Sequence, residues 1–189
     1  MSKIPILAGF LLVLLCAPIM AETSLDSNVA FFEGETMNYI IYPPNDFQMV
    51  EWDATVDGYS FAFIPRGQTY EAADVVIGIN LFKIRGLSFD KVVSSDTTSI
   101  REYFGKDIEI WPVDSVYAST GQEIVTFHID RANSYIPNVM LSYVDGATEL
   151  LVFELVVSEN ATRLIAEDRF VECLGKLKIL VLGDLGYND

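Results

Sequence analysis

Most of the chain consists of short stretches in which apolar and polar residues alternate, or in which apolar residues run without interruption. Gly, Pro, Asp or Asn residues bound these stretches, and side chains on a strand point alternately to its two faces, so the pattern predicts β-strands. The continuous apolar run ADVVIGINLF predicts a strand that is buried on both faces. The predicted strands are 36–42, 49–56, 58–65, 73–82, 108–117, 122–130, 139–146, 148–158 and 177–183.

One of these strands carries three aromatic residues on alternate positions, in the stretch GYSFAFIPRG. Tyr59, Phe61 and Phe63 are predicted to share one face, and aromatic side chains at this spacing are typical of a core. The dipeptide at 57–58, Asp-Gly, favours a tight hairpin turn before the strand, and Pro65 ends it. Because loops on a rigid scaffold often carry function, the loop after Pro65 is the predicted functional surface.

Two stretches have helical periodicity. Ser88 is placed to cap a helix that runs to about Phe104, and Gly105 is a typical residue just past a helix end. A second helix is predicted to begin at Glu159 and Asn160 and to run to about residue 175. The predicted inward residues are Phe89, Val92, Val93, Ile100, Tyr103 and Phe104 in the first helix, and Ala161, Leu164, Phe170, Val171 and Leu174 in the second.

This order of elements predicts an α+β fold. Several strands are apolar on both faces, so we expect a central, mostly antiparallel sheet with helices on both faces, as in an α/β/α sandwich. The predicted organisation is a flexible lead-in at 22–35, one α+β domain at 36–183 and a polar tail at 184–189.

The first 21 residues have the three parts of a secretory signal peptide. Lys3 supplies a positive charge, an apolar run extends from Ile6 to Cys16, and Ala21 is a small residue suited to cleavage. An uncleaved membrane anchor and a lipid anchor on Cys16 are alternatives, but no basic stop-transfer cluster follows the run. We therefore expect a secreted or periplasmic protein without stable membrane insertion after cleavage. Cys173 would then have no disulfide partner in the chain.

The charge balance excludes one class of partner. The chain has 27 acidic and 12 basic residues, and its formal net charge is −15. Such a chain is repelled by phosphate backbones and anionic membranes, so nucleic acid is not an expected partner. We expect a protein partner of unknown identity.

The stretch G-Y-S-F-x-F-x-P at 58–65 and the stretch F-V-E-C-L-G-K-L-K-I-L at 170–180 carry a family resemblance. Together with the order of elements, they resemble the extrinsic P subunit of photosystem II and its bacterial relatives, whose fold is shared with a nuclear factor that binds a Ran-type GTPase. The resemblance covers roughly 58–182. It implies a non-enzymatic accessory or binding module in an α/β/α sandwich, and it transfers no functional residue to this chain.

The sequence lacks the common signatures of catalysis and cofactor binding. It has no G-x-S-x-G elbow, phosphate loop, dinucleotide fingerprint or Cys-x-x-Cys pair. Its single histidine excludes a multi-histidine zinc site. We therefore expect a non-catalytic protein without a metal or other cofactor.

A small hydrolase that uses the single histidine as general base is the alternative. On strand 122–130, the period of two places Thr126, His128 and Asp130 on one face, so the carboxylate could orient the imidazole. Ser142 or Ser115 on an adjacent strand would be the nucleophile.

For the binding hypothesis, the loop after the aromatic strand provides the candidate residues Arg66 and Tyr70. Arg85 and Arg101 are rival candidates for contact with an anion. Asn160 fits the glycosylation pattern, although we expect it to act as a helix cap. The sequence thus favours an exported soluble binding module of unknown ligand.

Overall fold

The computed structural model describes residues 22–23, 29–84, 86–105, 107–131 and 137–182. The predicted signal peptide and polar tail lie outside the described residues. No helix in the described part of the chain is both long and apolar enough to cross a membrane. The strands are β1 (Glu22–Thr23), β2 (Ala30–Glu33), β3 (Met37–Ile41), β4 (Phe47–Val50), β5 (Phe61–Pro65), β6 (Val75–Lys83), β7 (Ile108–Pro112), β8 (Val116–Tyr117), β9 (Glu123–Arg131), β10 (Asn138–Asp145), β11 (Glu149–Val157) and β12 (Lys178–Val181). The helices are α1 (Trp52–Thr55), α2 (Phe89–Phe104) and α3 (Arg163–Lys176), with a 3-10 turn at Tyr70–Ala72.

The larger sheet has the strand order β4-β5-β6-β11-β10-β9-β7, and β8 pairs with β9. All of its neighbouring strands are antiparallel. The central strands β6 and β11 pair over their whole length, from Val75 opposite Val157 to Lys83 opposite Glu149. Every residue of β11 is buried, as expected for a strand covered on both faces. A mostly antiparallel sheet with two long helices confirms the predicted α+β class.

The two long helices belong to different core clusters. In α2, Val92, Val93 and Ile100 pack in a cluster with the side chains of Leu150 and Val152 on β11. The inward residues of α3 pack in another cluster with the intervening residues of the same strand. That second set comprises Ala166, Phe170, Cys173 and Leu174 of α3 with Leu151, Phe153 and Leu155 of β11.

The described strands form two sheets, whereas the sequence pattern predicted one central sheet. Strands β3 and β12 pair with each other and, with β1 and β2, form a four-stranded sheet of order β1-β2-β3-β12. Residues 30–33, which the sequence placed in a lead-in, form one of its strands. Phe32, Tyr39 and Ile179 on its inner face are buried in the same cluster as α3. Alternation shows which face of a strand is buried, but it does not show which strand is its neighbour.

The connection before β5 also differs from the prediction. Helix α1 and a helical turn replace the expected tight hairpin, and they leave Tyr59 two residues before the start of β5. Phe61 and Phe63 pack in the α3 cluster, while Tyr59 packs with Ala62 on the opposite side. All three aromatics are buried, so the expected core role holds, but the shared face was wrong for Tyr59.

The start of α3 is shifted relative to the sequence prediction. Thr162 occupies the cap position in place of Asn160, and its side chain makes no capping hydrogen bond. The buried residues of α3 are Ala166, Phe170, Cys173 and Leu174. Because each residue is rotated by about 100° from the one before it, Leu164 and Val171 both lie about a third of a turn away from Phe170. Leu164 is 74% exposed and Val171 is 41% exposed, contrary to their predicted inward position.

Candidate binding pocket

The candidate site is a pocket of about 500 Å³ beside the carboxyl end of α3. It is an open surface depression and not an enclosed cavity. The described residues that line it come from segments far apart in sequence. They are Val29, Tyr42, Pro43, Pro44, Asn45, Arg66, Ser119, Gly175, Lys176 and Lys178.

Arg66 occupies the turn that follows β5, where its side chain is exposed. Its backbone N–H donates to the carbonyl of Asp46 at 2.8 Å, and its Nε donates to the carbonyl of Phe47 at 3.0 Å. These two bonds hold the side chain against the loop before β4. The next residue, Gly67, has φ +83°, a left-handed conformation that suits glycine and turns the chain sharply after Arg66.

Two lysines complete the cationic side of the pocket. The Nζ of Lys176 donates to the side-chain oxygen of Asn45 at 3.0 Å and to Glu172 at 2.7 Å. The Nζ of Lys178 lies 5.3 Å from the centroid of the Tyr42 ring. A cation at this distance is attracted to the negative face of the ring, which favours a fixed position for an exposed lysine.

The lining also includes apolar rings. Tyr42 and Pro43 are half-buried, and Pro44 is buried. The thiol of Cys173 lies 3.5 Å from the carbonyl of Tyr42 and joins this loop to α3. The lining therefore combines two proline rings and one phenol ring with three cationic side chains.

The charged residues that line the pocket are positive, whereas the chain as a whole is negative. No acidic residue lies among the described residues that line it, although the chain as a whole carries a net charge of −15. Glu172 lies behind Lys176, and the hydrogen bond from Lys176 lowers the pKa of this carboxyl. The carboxylate thus balances the charge of Lys176, so Arg66 and Lys178 are the cations left for a ligand.

Tyr70, the second residue predicted for binding, lies elsewhere. It is 8% exposed and packs with Ala54, Tyr59 and Ile64 in the core cluster beneath α1. The structure therefore places Arg66 in the pocket and Tyr70 in the core. Of the rival arginines, Arg101 is exposed on α2, and Arg85 lies outside the described residues.

The predicted histidine site forms a charged cluster between β9 and α3. His128 Nε2 lies 2.8 Å from an Oε1 atom of Glu167, and its ring stacks on Trp111 with a centroid separation of 4.7 Å. Arg163 donates to Glu167 at 3.0 Å, to Asp130 at 3.2 Å and to the Ile129 carbonyl at 2.9 Å. The period of two along β9 therefore does bring His128 and Asp130 to one face.

The predicted nucleophiles do not join this cluster. Ser142 is fully buried, and its hydroxyl lies 2.9 Å from the hydroxyl of Thr126, with which it pairs across the sheet. In the described part of the chain, the side-chain hydrogen-bond partners of His128 are Glu167 and Arg163. Ser115 is exposed between β7 and β8. No group of three or more His, Cys, Asp or Glu among the described residues is arranged to hold a metal ion.

Comparisons with known proteins give one structural similarity. No protein-family model matches the sequence, and no curated protein is significantly similar to it. The solution structure of cyanobacterial PsbP (CyanoP) from Synechocystis sp. PCC 6803 aligns with a TM-score of 0.46 and 11% sequence identity, over 84% of this chain and 97% of that chain. That protein carries the name of the group that the sequence resembles.

Arg66 was predicted from the sequence, but its neighbours in the pocket were not. Lys176 and Lys178 stand in the stretch GKLKIL, and Tyr42 and Pro43 stand in YPP, so each signal was visible in isolation. Nothing in the order of residues indicated that these segments and Ser119 would meet. The meeting depends on the second sheet, which brings β12 beside the loop after β3.

Proposed function

We propose that the protein is an exported, soluble, non-catalytic binding module whose ligand carries an anionic group into the pocket around Arg66. One observation carries the proposal. Arg66, Lys176 and Lys178 line one pocket together with the rings of Tyr42, Pro43 and Pro44, on a chain whose net charge is −15.

Export is part of this proposal, and its support is the sequence pattern of residues 1–21. A positively charged start, an apolar run and a small residue at the end are typical of a secretory signal. An exported location is compatible with a buried, unpaired Cys173, because a thiol that solvent cannot reach needs no partner in an oxidising compartment.

The geometry around His128 favours binding over the hydrolase alternative. A general base must reach the nucleophile whose proton it takes. His128 is engaged by Glu167 and Arg163, while the Ser142 hydroxyl lies against Thr126 in the buried interior. This cluster fits a structural role in which it joins α3 to β9.

The direct test is a titration of the isotopically labelled protein with sodium acetate and with sodium phosphate, at constant ionic strength set by chloride. Saturable chemical-shift changes are expected at the amides of Asn45, Arg66 and Lys178. Arg66→Gln should remove them, because a guanidinium makes charge-assisted hydrogen bonds with an anion that an amide cannot replace. Arg101→Gln is the matched control, since Arg101 is an exposed arginine outside the pocket.

The titration also has a clear contrary outcome. Absence of saturable shifts in the pocket with both anions would contradict the proposal. Equal loss of binding in Arg66→Gln and Arg101→Gln would show that the effect comes from overall charge, which would contradict it as well.

A further inference from the structure

The outer face of the small sheet adjoins the pocket at Lys178. Register pairs Phe31 with Ile40 on the neighbouring strand, and Ile40 with Lys178 on the next. Residues on either side of Phe31 and Ile40 point into the core, so these two side chains point outward, where both are half-buried. Phe31, Ile40 and Lys178 therefore form a row across three strands, which meets the pocket at Lys178 and has Glu22 of β1 opposite Phe31 at its other end.

The row of Phe31, Ile40 and Lys178 extends beyond the surface that a small anion in the pocket would contact. Adjacent strands lie about 4.8 Å apart, so the row extends roughly 10 Å from Lys178. Leu180, 38% exposed, adds apolar surface on the same face of β12. A ligand that used both the row and the pocket would need an extended apolar body with an anionic group at one point along it.

The charge in the pocket matches one carboxylate better than a phosphate. Lys176 is balanced by Glu172, so two cations remain. Beside them lies the carboxyl end of α3, where the helix dipole is negative. This end opposes any bound anion, and it opposes a doubly charged phosphate more strongly than a singly charged carboxylate. A doubly charged phosphate is normally bound at the opposite end of a helix, by backbone N–H groups.

The hydrogen-bonding edge beside the pocket is already occupied. The backbone N–H of Ser119 donates to the carbonyl of Leu177 at 2.9 Å, and the N–H of Ile179 donates to the hydroxyl of Thr120 at 3.3 Å. The turn at Ser119 and Thr120 therefore covers the start of β12. A ligand near Lys178 must lie on the face of the sheet, because this part of the edge is covered.

From the row, the charge and the covered edge, we infer that the ligand is a protein segment in which one Asp or Glu side chain, flanked by apolar residues, enters the pocket. The inference rests on the proposed function and specifies the ligand. The carboxylate pairs with Arg66 and Lys178, and the apolar neighbours pack on Tyr42, Ile40 and Phe31.

The test uses the labelled protein and three probes. The first is the capped peptide acetyl-Ser-Val-Phe-Glu-Val-Ser-amide, the second is the same peptide with Gln in place of Glu, and the third is inorganic phosphate. The Glu peptide should shift the amides of the pocket and also those of Phe31 and Ile40. The Gln peptide should bind about tenfold more weakly, since it loses a charge-assisted hydrogen bond.

Two variants separate the parts of the site. Ile40→Thr removes apolar surface from the row, so it should weaken the Glu peptide about threefold or more and leave acetate binding unchanged. Lys178→Gln should weaken both the Glu peptide and acetate. Near-ultraviolet circular dichroism of each variant, compared with that of the unchanged protein, verifies that the fold is retained before binding is measured.

Three outcomes would overturn the inference. Equal binding of the Glu and Gln peptides, or tighter binding of phosphate than of the Glu peptide, would leave an anion site with a different ligand class. Pocket shifts that depend on protein concentration in the absence of probe would identify a second copy of the chain as the occupant. If acetate, phosphate and peptide all fail to shift the pocket, the proposed function itself fails.

Discussion

The hydroxyl of Tyr143 on β10 donates a hydrogen bond of 2.5 Å to the carboxylate of Asp96 on α2. Both residues are buried between the helix and the larger sheet. Burial raises the pKa of the Asp96 carboxyl above its ordinary value of 3.8, and the bond from Tyr143 opposes that rise. The interface therefore contains an acid whose charged form is disfavoured by its surroundings.

This acid predicts a specific pH dependence of stability. Because the folded-state pKa of Asp96 is raised, the contribution of Asp96 to stability is fully present below its ordinary pKa and is lost as the pH rises through the folded-state pKa. Asp96→Asn keeps an oxygen that accepts from Tyr143 but cannot ionise. It should therefore be more stable than the unchanged protein at pH 7, by an amount on the order of 1 kcal/mol, and this gain should disappear near pH 3.5.

Urea unfolding between pH 3.5 and 7 measures this difference. Asp168→Asn is the control, because Asp168 is exposed on α3 and should show no comparable gain. If the free energy of unfolding changed with pH equally in Asp96→Asn and in the unchanged protein, the prediction would be refuted.

Gly78 predicts a steric effect on the core. A methyl group at this position would lie 2.2 Å from the ring of Tyr59, which is buried and donates to Glu154 at 2.6 Å. Gly78→Ala must displace that ring, so it should lower the free energy of unfolding by about 1–3 kcal/mol.

Gly175→Ala is the matched control. It meets no atom within 4 Å and lies in α3, so it should stabilise by about 0.5–1 kcal/mol. Thermal unfolding of both variants distinguishes a steric clash with the Tyr59 ring from a general effect of alanine. If Gly78→Ala left the free energy of unfolding unchanged, the Tyr59 ring would be free to move, which would contradict the prediction.

Cys173 is predicted to be unreactive in the folded protein. Its side chain is fully buried, and burial raises the pKa of its thiol, so the reactive thiolate is scarce. A thiol reagent such as dithionitrobenzoate at pH 8 should label the folded protein many times more slowly than the protein unfolded in urea. Rapid labelling without urea would mean that α3 separates readily from the small sheet.

Arg163 is predicted to hold α3 onto β9. It contacts Glu167, Asp130 and the Ile129 carbonyl, and it is 33% exposed. Arg163→Ala removes all three hydrogen bonds and should lower the free energy of unfolding by about 1–3 kcal/mol, as measured in urea. Arg101→Ala, the exposed control on α2, should change it by less than about 0.5 kcal/mol. Similar values for the two variants would identify the cluster around Arg163 as an ordinary surface ion-pair network.

Local pattern predicted most elements of this fold. The run at 73–82 predicted a doubly buried strand, and β6 at Val75–Lys83 is one, because residue polarity reports the environment of each face. Helix α2 begins after Ser88 and ends before Gly105 as predicted, since the signals for a helix start and stop lie within a few residues of each other.

Features that depend on distant segments could not be predicted in the same way. The second sheet requires β3 to meet β12 across more than half of the chain, and no local signal specifies that pairing. The face of Tyr59 depends on the absence of a side chain at Gly78, one strand away. The pocket also depends on contacts between distant segments. Arg66 could therefore be identified from the sequence, while the shape and the charge of the pocket could not.

The turn at Ser119 and Thr120 also bears on how copies of the protein behave towards each other. An open strand edge is a template on which a second chain can add, and repeated addition leads to fibrils. Here two backbone groups at the start of β12 are already engaged by the turn, so an incoming strand would have to displace it before pairing there. The same short loop that borders the pocket therefore works against polymerisation along the small sheet.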